Sequence, residues 1–419
     1  MLRWLYNALL HLVLPLLPLR LWWRGRREPG YRTHVAERFG SYARRPERPV
    51  VWVHAVSVGE TRAAQPLLEG LATRFSDHVL LLTGMTATGR ATAESLYGDR
   101  AMIAFLPYDY PWAVRRFLAH FRPRLGILME TEIWPNLVRG ARAAGVPVVL
   151  ANARMSPKSA RGYARVASLT REALADIAAI GAQSEADAQR LRDLGAHSVE
   201  VTGNLKFDIA PPPATRETVQ ALRKLWGERP VFVAASTREG EEELLLDALA
   251  RRPIERLLTV IVPRHPQRFD EVGELLSRRQ FTYARRSANA PVPPECNFAL
   301  GDTMGEMFAY YGAADMAWVG GSLLRYGAQN LIEACVMGTP VIIGPSTYNF
   351  AEATALAIEA GAAVQVADAD GVVATVARLV ADPAARRRMG EAGTAFTVAH
   401  QGAAARTMRI IERVVGTEE

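Results

Sequence analysis

The feature that most constrains the fold is an alternation of short apolar runs with helix-forming segments, and this alternation occurs in two series along the chain. A β-branched run such as Val50 to Val53 is typical of a strand that is buried on both faces of a sheet. Strands that alternate with helices form parallel sheets covered on both faces. The sequence therefore predicts an α/β protein with doubly wound sheets. The predicted strands are Val50 to Val53, Val79 to Thr83, Ala101 to Leu106, Leu125 to Met129, Val146 to Ala151, Ile177 to Ala182 and Val199 to Val201, then Val231 to Ala235, Leu258 to Val262, a strand near Phe298, Met316 to Val319, Val341 to Ile343 and Ala363 to Val366.

A triple proline, Pro211 to Pro213, separates the two series. Such a segment supports neither the interior of a helix nor that of a strand, and it acts as a semi-rigid spacer. We therefore expect an N-terminal anchor over 1–24, a Rossmann-like domain over 25–209 and a second one over 210–419. The tail helix, roughly Ala403 to Val415, can pack back on the first domain. The two domains are expected to face each other across a cleft that holds a small-molecule site.

Composition limits the possible partners. The chain has 419 residues, a formal net charge of +7 and only two cysteines, Cys296 and Cys335. Two cysteines are too few for a disulfide scaffold, and they make a cysteine metal site improbable. The positive charge favours a phosphorylated substrate or an anionic membrane surface. No nucleic-acid-binding signature is present, so we expect no nucleic-acid partner.

A leucine-rich segment from Trp4 to Trp23 opens the chain, and as one helix it would be roughly 30 Å long, enough to cross a bilayer. Basic residues follow it, whereas Arg3 alone precedes it, so the positive-inside rule places the rest of the chain in the cytoplasm. Pro15 and Pro18 interrupt a helix, which leaves an interfacial or re-entrant anchor as the alternative. We expect an anchor that spans the membrane. The basic residues that follow the segment are Arg20, Arg24, Arg26 and Arg27.

Glu60 follows the first predicted strand, where Ser57-Val58-Gly59 leads into a helix. In an open parallel sheet such a turn lies at the carboxyl edge, where ligands bind. A carboxylate in the first turn of a helix is stabilised in its ionised form, so Glu60 can accept a proton as a general base. The alternative is that Glu60 only complements the helix terminus.

Two further strand ends carry charged side chains. Glu130 and Glu132 end the strand from Leu125, and if the backbone stays extended they share a face and raise one another's proton affinity. Alternatively, one of them, Glu132 more readily, caps the next helix. Lys206 ends the last strand of the first series, and we expect it to point into the cleft rather than to be an ordinary solvated lysine.

The second series has a turn at Ser236-Thr237 whose hydroxyl and backbone N–H groups suit a phosphate, although an ordinary helix N-cap explains the same residues. Pro263-Arg264-His265-Pro266 forms a rigid cationic loop after the next strand. Such a loop either binds an anion or is simply solvated.

The segment from Trp318 to Asn349 is rich in glycine and polar residues. Gly320-Gly321 permits close approach of a ligand, and Asn330 begins a helix in which Glu333 lies one turn further on. The chain contains no P-loop, and no G-x-G-x-x-G follows a strand, which removes the main support for an ATPase or a dinucleotide enzyme. Asp368-Ala-Asp370 has the letters of a metal-binding motif, but its position after the last strand indicates a turn.

Taken together, these motifs resemble those of the 3-deoxy-D-manno-octulosonic acid (Kdo) transferases of lipopolysaccharide synthesis, and the resemblance covers nearly the whole chain. The motifs that stand in the family's order are His54 to Glu60, Glu130 to Asn136, Gly203 to Lys206, Pro263 to Pro266, Gly301 to Glu306 and Asn330 to Glu333. The resemblance implies a GT-B architecture, with the acceptor held mainly by the N-terminal half and the donor CMP-Kdo mainly by the C-terminal half.

By position, Glu60 corresponds to the family's catalytic base, and Glu130 and Lys206 correspond to residues thought to support the transition state. Gln329 stands where many relatives have histidine, which leaves any role for an imidazole there in doubt. The residues expected to bind CMP, including the phosphate turn inferred above, are Ser236, Thr237, Arg264, His265, Met304, Gly305, Glu306, Asn330, Leu331, Ile332 and Glu333.

The implied activity is an inverting transfer of Kdo from CMP-Kdo to lipid IVA, the lipid A precursor, without a cofactor or a metal. The implied location is the cytoplasmic side of the inner membrane. Two alternatives stay open: another GT-B enzyme that uses a UDP-sugar, such as a transferase or an epimerase, and a non-catalytic membrane-bound scaffold.

Overall fold

The structure, a computed structural model, describes residues 2–416. Residue 1 of the predicted anchor and residues 417–419 of the predicted second domain lie outside the described residues. The described chain divides into two compact units, one formed by 2–208 together with 400–416 and the other by 209–399.

Two helices begin the first unit, α1 (Leu2–Val13) and α2 (Leu16–Arg24). The prediction of one continuous helix from Trp4 to Trp23 is wrong, because the helix breaks at Pro15, which has no N–H and clashes with the preceding turn. No single helix within 2–416 has the length and hydropathy of a membrane span. By these two criteria α1 and α2 pass as a pair, but they are bent by 58°.

The first unit is built on a seven-stranded sheet in the order β3-β2-β1-β4-β5-β6-β7, with every neighbouring pair parallel. Residues of β1 alternate between two apolar cores: Val50 and Trp52 pack on one face of the sheet, and Val51 and Val53 pack on the other. The strands are β1 (Val50–His54), β2 (Val79–Gly84), β3 (Ala101–Phe105), β4 (Pro123–Met129), β5 (Val148–Ala153), β6 (Ala179–Ala182) and β7 (Val199–Val201). The helices between them are α3 (Val58–Ala63), α4 (Gln65–Arg74), α5 (Ala87–Tyr97), α6 (Pro111–Phe121), α7 (Pro135–Ala143), α8 (Pro157–Ala164), α9 (Ala167–Ala175) and α10 (Glu185–Asp193), with short 3-10 turns at Pro29–Tyr31, Val35–Phe39 and Leu205–Phe207.

The second unit has its own seven-stranded parallel sheet, in the order β10-β11-β9-β8-β12-β13-β14. Its central strands are buried, and Phe232, Ala234 and Trp318 pack into one apolar core with the helices on that face. The strands are β8 (Val231–Thr237), β9 (Leu258–Pro263), β10 (Tyr283–Arg285), β11 (Phe298–Leu300), β12 (Met316–Val319), β13 (Val341–Ile343) and β14 (Ala363–Gln365). The helices are α11 (Thr215–Trp226), α12 (Glu241–Arg251), α13 (Phe269–Arg278), α14 (Met307–Ala313), α15 (Ile332–Val336), α16 (Ala351–Glu359), α17 (Ala369–Ala381) and α18 (Pro383–His400), with 3-10 turns at Pro266–Arg268 and Arg286–Ala288.

The predicted α/β architecture with two parallel sheets is confirmed. One strand was missed: β10 is a three-residue edge strand, only partly buried, that ends in an arginine. It is too short and too polar to give a periodic signal.

The tail helix α19 (Ala403–Gly416) belongs to the first unit. Its buried residues Ile410 and Ile411 join the same apolar core as Val51 and Val53. Asp208 caps the start of this helix, because its carboxylate accepts hydrogen bonds from the backbone N–H groups of Gly402 and Ala404.

Replacing Ile411 by alanine should therefore destabilise the first unit by about 2–5 kcal/mol, the usual cost of emptying a filled core position. Urea unfolding followed by circular dichroism measures this loss. Arg409→Ala is the matched control, since Arg409 is exposed on the same helix and should leave the unfolding midpoint nearly unchanged. Equal effects of the two substitutions would show that α19 contributes little to the core.

Candidate active site

Glu60 lies in the first turn of α3, directly after β1. Ser57 caps this helix: its hydroxyl oxygen accepts a hydrogen bond from the backbone N–H of Glu60 at 3.4 Å and its O–H donates to Glu60 Oε1 at 2.8 Å. Glu60 Oε2 accepts from the backbone N–H of Val56 at 2.9 Å. The carboxylate therefore does complement the helix terminus, as the alternative interpretation held. Within 2–416 it forms no ion pair, so the same bonds fix its orientation without neutralising it.

The pKa of Glu60 is raised to about 7, first because the carboxyl group is buried and then because Glu130 and Glu132 place negative charge nearby. The hydrogen bonds from Val56 and Ser57 act in the opposite direction but do not cancel the effect of burial. A carboxyl group that titrates near neutral pH is suited to accept and release a proton.

Glu130 follows β4, the strand next to β1 in the sheet. Its φ angle is +58°, in the left-handed region, so the backbone does not stay extended and the prediction that Glu130 and Glu132 share a strand face is wrong. Glu132 Oε2 instead accepts a hydrogen bond from Trp134 Nε1 at 2.6 Å, and it does not cap α7. Burial, with the negative charge of Glu130, raises the pKa of Glu132. The turn thus places two carboxyl groups near Glu60.

The residue that caps α7 is Asp109, which the sequence analysis missed. Its carboxylate accepts from the backbone N–H groups of Asn136 at 3.0 Å and Leu137 at 2.8 Å, and from the hydroxyl of Tyr6 in α1 at 2.8 Å. Burial raises the pKa of Asp109 to about 7. No periodicity identifies it, because Asp109 acts across a gap of 27 residues. It ties the first helix of the chain to the helix that follows the Glu130 turn.

Lys206 lies in the 3-10 turn Leu205–Phe207, after β7. Asn152, at the end of β5 with a φ of +53°, accepts the backbone N–H of Leu205 at 3.0 Å, so the turn is fixed near the middle of the sheet rather than at its edge strand. Asn204 reinforces it by accepting from the backbone N–H of Lys206 and donating to Gln183. Asn152 and Gln183 were also missed, because single amides carry no pattern.

In the second unit the end of β8 holds Ser236 and Thr237. Ser236 has a φ of +56°, and the Thr237 hydroxyl donates to Glu242 at 2.6 Å. Neither side chain caps α12, whose N-cap is Gly240, so the ordinary capping alternative is wrong. The turn is instead a strained strand end whose hydroxyl is held by a buried carboxylate.

Glu241 organises two neighbouring loops at this edge. The side chain is fully buried, and its carboxylate accepts from the backbone N–H groups of Arg238, Gly321 and Leu323 at 2.6 to 2.9 Å. Gly320 is required for the same packing, since a Cβ there would lie 2.6 Å from the Ser236 carbonyl oxygen. At Gly320 the close approach predicted for a ligand is therefore made by the backbone of β8.

The cationic loop after β9 is hydrogen-bonded to the end of β8 and to the segment that follows β12. The backbone N–H of Arg264 donates to Thr237 O at 3.0 Å, and Arg264 Nε donates to Gln329 Oε1 at 3.0 Å. Gln329 thus keeps a hydrogen-bonding role in place of an imidazole. His265 is largely exposed, and its pKa is lowered by partial desolvation of the ring and by the charges of Arg238, Arg264 and Arg268. Three arginines thus lie near His265, and Arg268 among them pairs with Glu242 at 2.6 Å and with Glu271 at 3.3 Å.

The remaining candidates lie on loops at the same edge. Met304 is exposed, Gly305 has a φ of +80° and Glu306 pairs with Arg286 at 2.8 Å. Asn330 accepts from the backbone N–H of Ile332 and donates to Glu333 Oε1, both at 3.0 Å. Leu331 and Ile332 are buried beneath this turn. All residues predicted to bind the donor lie at the end of β8 or in the segments that follow β11, β9 and β12, and these four strands are consecutive in the sheet.

Asp368 caps α17 by accepting from the backbone N–H of Gly371 at 2.8 Å, and Asp370 pairs with Arg251 at 2.6 Å. These contacts explain both aspartates of the acidic motif, since one caps the helix and the other forms an ion pair in its first turn. Among residues 2–416 no group of three or more histidine, cysteine or acidic side chains is placed to hold a metal ion.

The two parallel-sheet units, with loops converging at one edge of each sheet, define a GT-B-like fold of the kind found in glycosyltransferases. A solved glycosyltransferase from Rickettsia africae shares it, with a TM-score of 0.55 over 88% of this chain and 99% of that chain, at 12% identity.

Sequence comparison gives the family. Residues 33–209 match the model described as 3-deoxy-D-manno-octulosonic-acid transferase (kdotransferase). The 3-deoxy-D-manno-octulosonic acid transferase of Bordetella pertussis is 47% identical over 99% of this chain and all of that protein, and the one of Haemophilus influenzae is 35% identical over 98% of each. The chain belongs to the Kdo transferase family and is a glycosyltransferase.

The charge of Glu130 contributes to the raised pKa of Glu60, so Glu130→Gln should lower that pKa from about 7 towards the ordinary range of a glutamate. Titration of ¹³Cδ-labelled glutamate by NMR measures it, with the Glu60 signal assigned by its absence in Glu60→Gln. Glu185→Gln, at an exposed position, is the control and should leave the titration unchanged. An unchanged pKa in Glu130→Gln would mean that the two carboxyl groups do not interact.

Proposed function

We propose that this chain transfers Kdo from CMP-Kdo to a sugar hydroxyl of lipid IVA, with Glu60 as the general base. The observation that carries the proposal is the Glu60 carboxyl group, held by two hydrogen bonds at the start of α3, free of ion pairs within 2–416 and with a pKa of about 7. The family relationship supports Kdo as the sugar that is transferred. The acceptor, the donor nucleotide and the roles of individual residues are part of the proposal.

In the proposed step the acceptor hydroxyl gives its proton to the Glu60 carboxylate while its oxygen forms a bond to C2 of Kdo. The bond between C2 and the phosphate oxygen breaks, and its electron pair leaves with CMP. Attack opposite the leaving group inverts the configuration at C2. Glu130 and Lys206 are assigned supporting roles at the transition state in the first unit.

The second unit is proposed to bind CMP. The charges of Arg238 and Arg264 favour the single phosphate of the leaving group, which arginine and backbone N–H groups neutralise without a metal. Ser236 and Thr237 offer the phosphate turn, Met304 to Glu306 and Asn330 to Glu333 form the rest of the site, and Gln329 holds Arg264 in place.

The helices α1 and α2 are proposed to anchor the chain at the cytoplasmic side of the inner membrane. Several of their large apolar side chains are exposed, including Trp4 at 82% and Leu12 at 75%. Exposed apolar residues on a helix that also packs on the protein favour a helix lying in the interface over one that spans. This assignment brings the first unit close to a lipid acceptor.

Glu60→Gln should reduce the transfer rate by about 10² to 10⁴, the usual contribution of a general base. In the wild type the rate should rise as the pH increases through about 7, since only the ionised carboxyl group accepts a proton. Mass spectrometry of products formed from CMP-Kdo and lipid IVA measures both effects. Glu69→Gln, at an exposed position on α4, is the control. A Glu60→Gln variant with the wild-type rate and melting temperature would exclude Glu60 as the base.

CMP should raise the melting temperature of the protein, whereas UDP should not, because a ligand that binds only the folded state stabilises it. Arg264→Gln should diminish the shift caused by CMP by removing a charge from the proposed phosphate site. Differential scanning fluorimetry measures both, and Arg252→Gln, at an exposed position distant in sequence from the loop, serves as the control. Stabilisation by UDP and not by CMP would contradict the proposed donor.

A further inference from the structure

A cavity of about 870 Å³ lies in the first unit between α1, α6 and α7, and none of Glu60, Glu130 and Lys206 lines it. Ligand pockets in proteins are typically about 300 to 1,000 Å³. The volume is therefore sufficient for a small amphiphilic molecule, and the cavity shares no lining residue with the proposed catalytic residues.

Four arginines line this cavity, one on each of three helices and one directly after α6, and none of the lining residues is acidic. Two of them have partners: Arg3 pairs with Glu172 at 3.2 Å and Arg139 with Asp176 at 3.6 Å. Arg115 and Arg122 form no ion pair with any residue of the described chain. The cavity thus has an excess of positive charge that the protein does not neutralise.

Arg115 lies on α6, and Arg122, the C-cap residue, follows this helix with a left-handed φ of +45°. Both arginines line the cavity together with Leu118, so an apolar side chain shares the cavity with two guanidinium groups. Ala119 and Ala143 line the same cavity and add an apolar surface with little bulk. A ligand that fits such a surface combines an anionic group with hydrocarbon.

The first helix relates this cavity to the bilayer. Arg3 and Asn7 of α1 line the cavity, and Asn7 is fixed there because its Oδ1 accepts from Asn136 Nδ2 at 2.7 Å. Trp4 and Leu5, next to Arg3 in the chain, are exposed at 82% and 56%. A helix with its apolar side chains in the acyl boundary would place the cavity at the level of lipid headgroups.

We propose that this cavity binds the headgroup of an anionic phospholipid of the bilayer, with the phosphate between Arg115 and Arg122 and the first carbons of the lipid over Leu118. Charge complementarity favours the anionic headgroup, and the apolar surface together with the exposed residues of α1 favours a lipid over free phosphate. None of the residues assigned to the proposed reaction or to CMP binding lines the cavity, and the proposal does not depend on that reaction.

Isothermal titration calorimetry with monomeric dihexanoylphosphatidylglycerol tests the proposal, because a lipid below its micelle concentration has no collective surface potential. The wild type should bind this lipid, whereas dihexanoylphosphatidylcholine and inorganic phosphate should bind much more weakly. Arg115→Gln and Arg122→Gln should each weaken binding about tenfold, as expected for the loss of a charge-assisted hydrogen bond. Ala119→Trp, which fills the cavity without changing charge, should abolish binding.

Arg116→Gln is the matched control, since Arg116 lies on the same helix, stacks at 5.1 Å on the ring of Trp112 and does not line the cavity. It should change the affinity by less than about twofold, within the effect of an exposed charge. All variants should keep the wild-type melting temperature without lipid. An equal loss in Arg116→Gln would overturn the proposal in favour of diffuse attraction. Binding of inorganic phosphate as tight as that of the lipid would also overturn it, as would full binding by Ala119→Trp.

Discussion

Parallel pairing of the strands is the constraint on which the rest of the structure depends. It brings the carboxyl ends of all strands of a sheet to one edge, and the strand order reverses between β1 and β4 in one unit and between β8 and β12 in the other. At such a reversal the flanking connections diverge to opposite faces and leave room for a ligand. Glu60 and the Glu130 turn follow the first pair, and Ser236 and Gly320 follow the second. The positions of the chemical groups are thus consequences of topology.

Buried or partly buried carboxylates stabilise the loops at these edges, and they differ in their hydrogen-bond partners. Glu60 keeps a raised pKa because burial outweighs its hydrogen bonds. Asp109 and Glu241 are buried as well, but they are tied to backbone N–H groups of loops distant in sequence. Such bonds are costly to leave unmade in the interior, so they fix the loops firmly. Burial raises the pKa of all three carboxyl groups; they differ in that Asp109 and Glu241 accept hydrogen bonds from distant segments, whereas Glu60 accepts them from its own turn.

The sequence predicted the elements that have a strong pattern and missed those that depend on distant contacts. Strands such as Val50 to Val53 are evident because β-branched residues are buried on both faces. Pro15 predicts an interruption of the first helix, but the expectation of a spanning anchor treats Trp4 to Trp23 as one helix. Asp109, Asn152 and Glu241 carry no periodic signal, because their role is set by partners 27 to 82 residues away. The left-handed backbone at Glu130 is not predictable from the sequence either, because a positive φ is common for glycine and rare for glutamate.

The position of α19 has a consequence for how the chain is made. Ile410 and Ile411 complete a core that begins at β1, so the first unit lacks part of its interior until the ribosome has synthesised the second unit and α19. The second unit is a continuous segment and has no such dependence. During synthesis the first unit is therefore incomplete and exposes apolar surface to chaperones. The second unit can already fold at that stage.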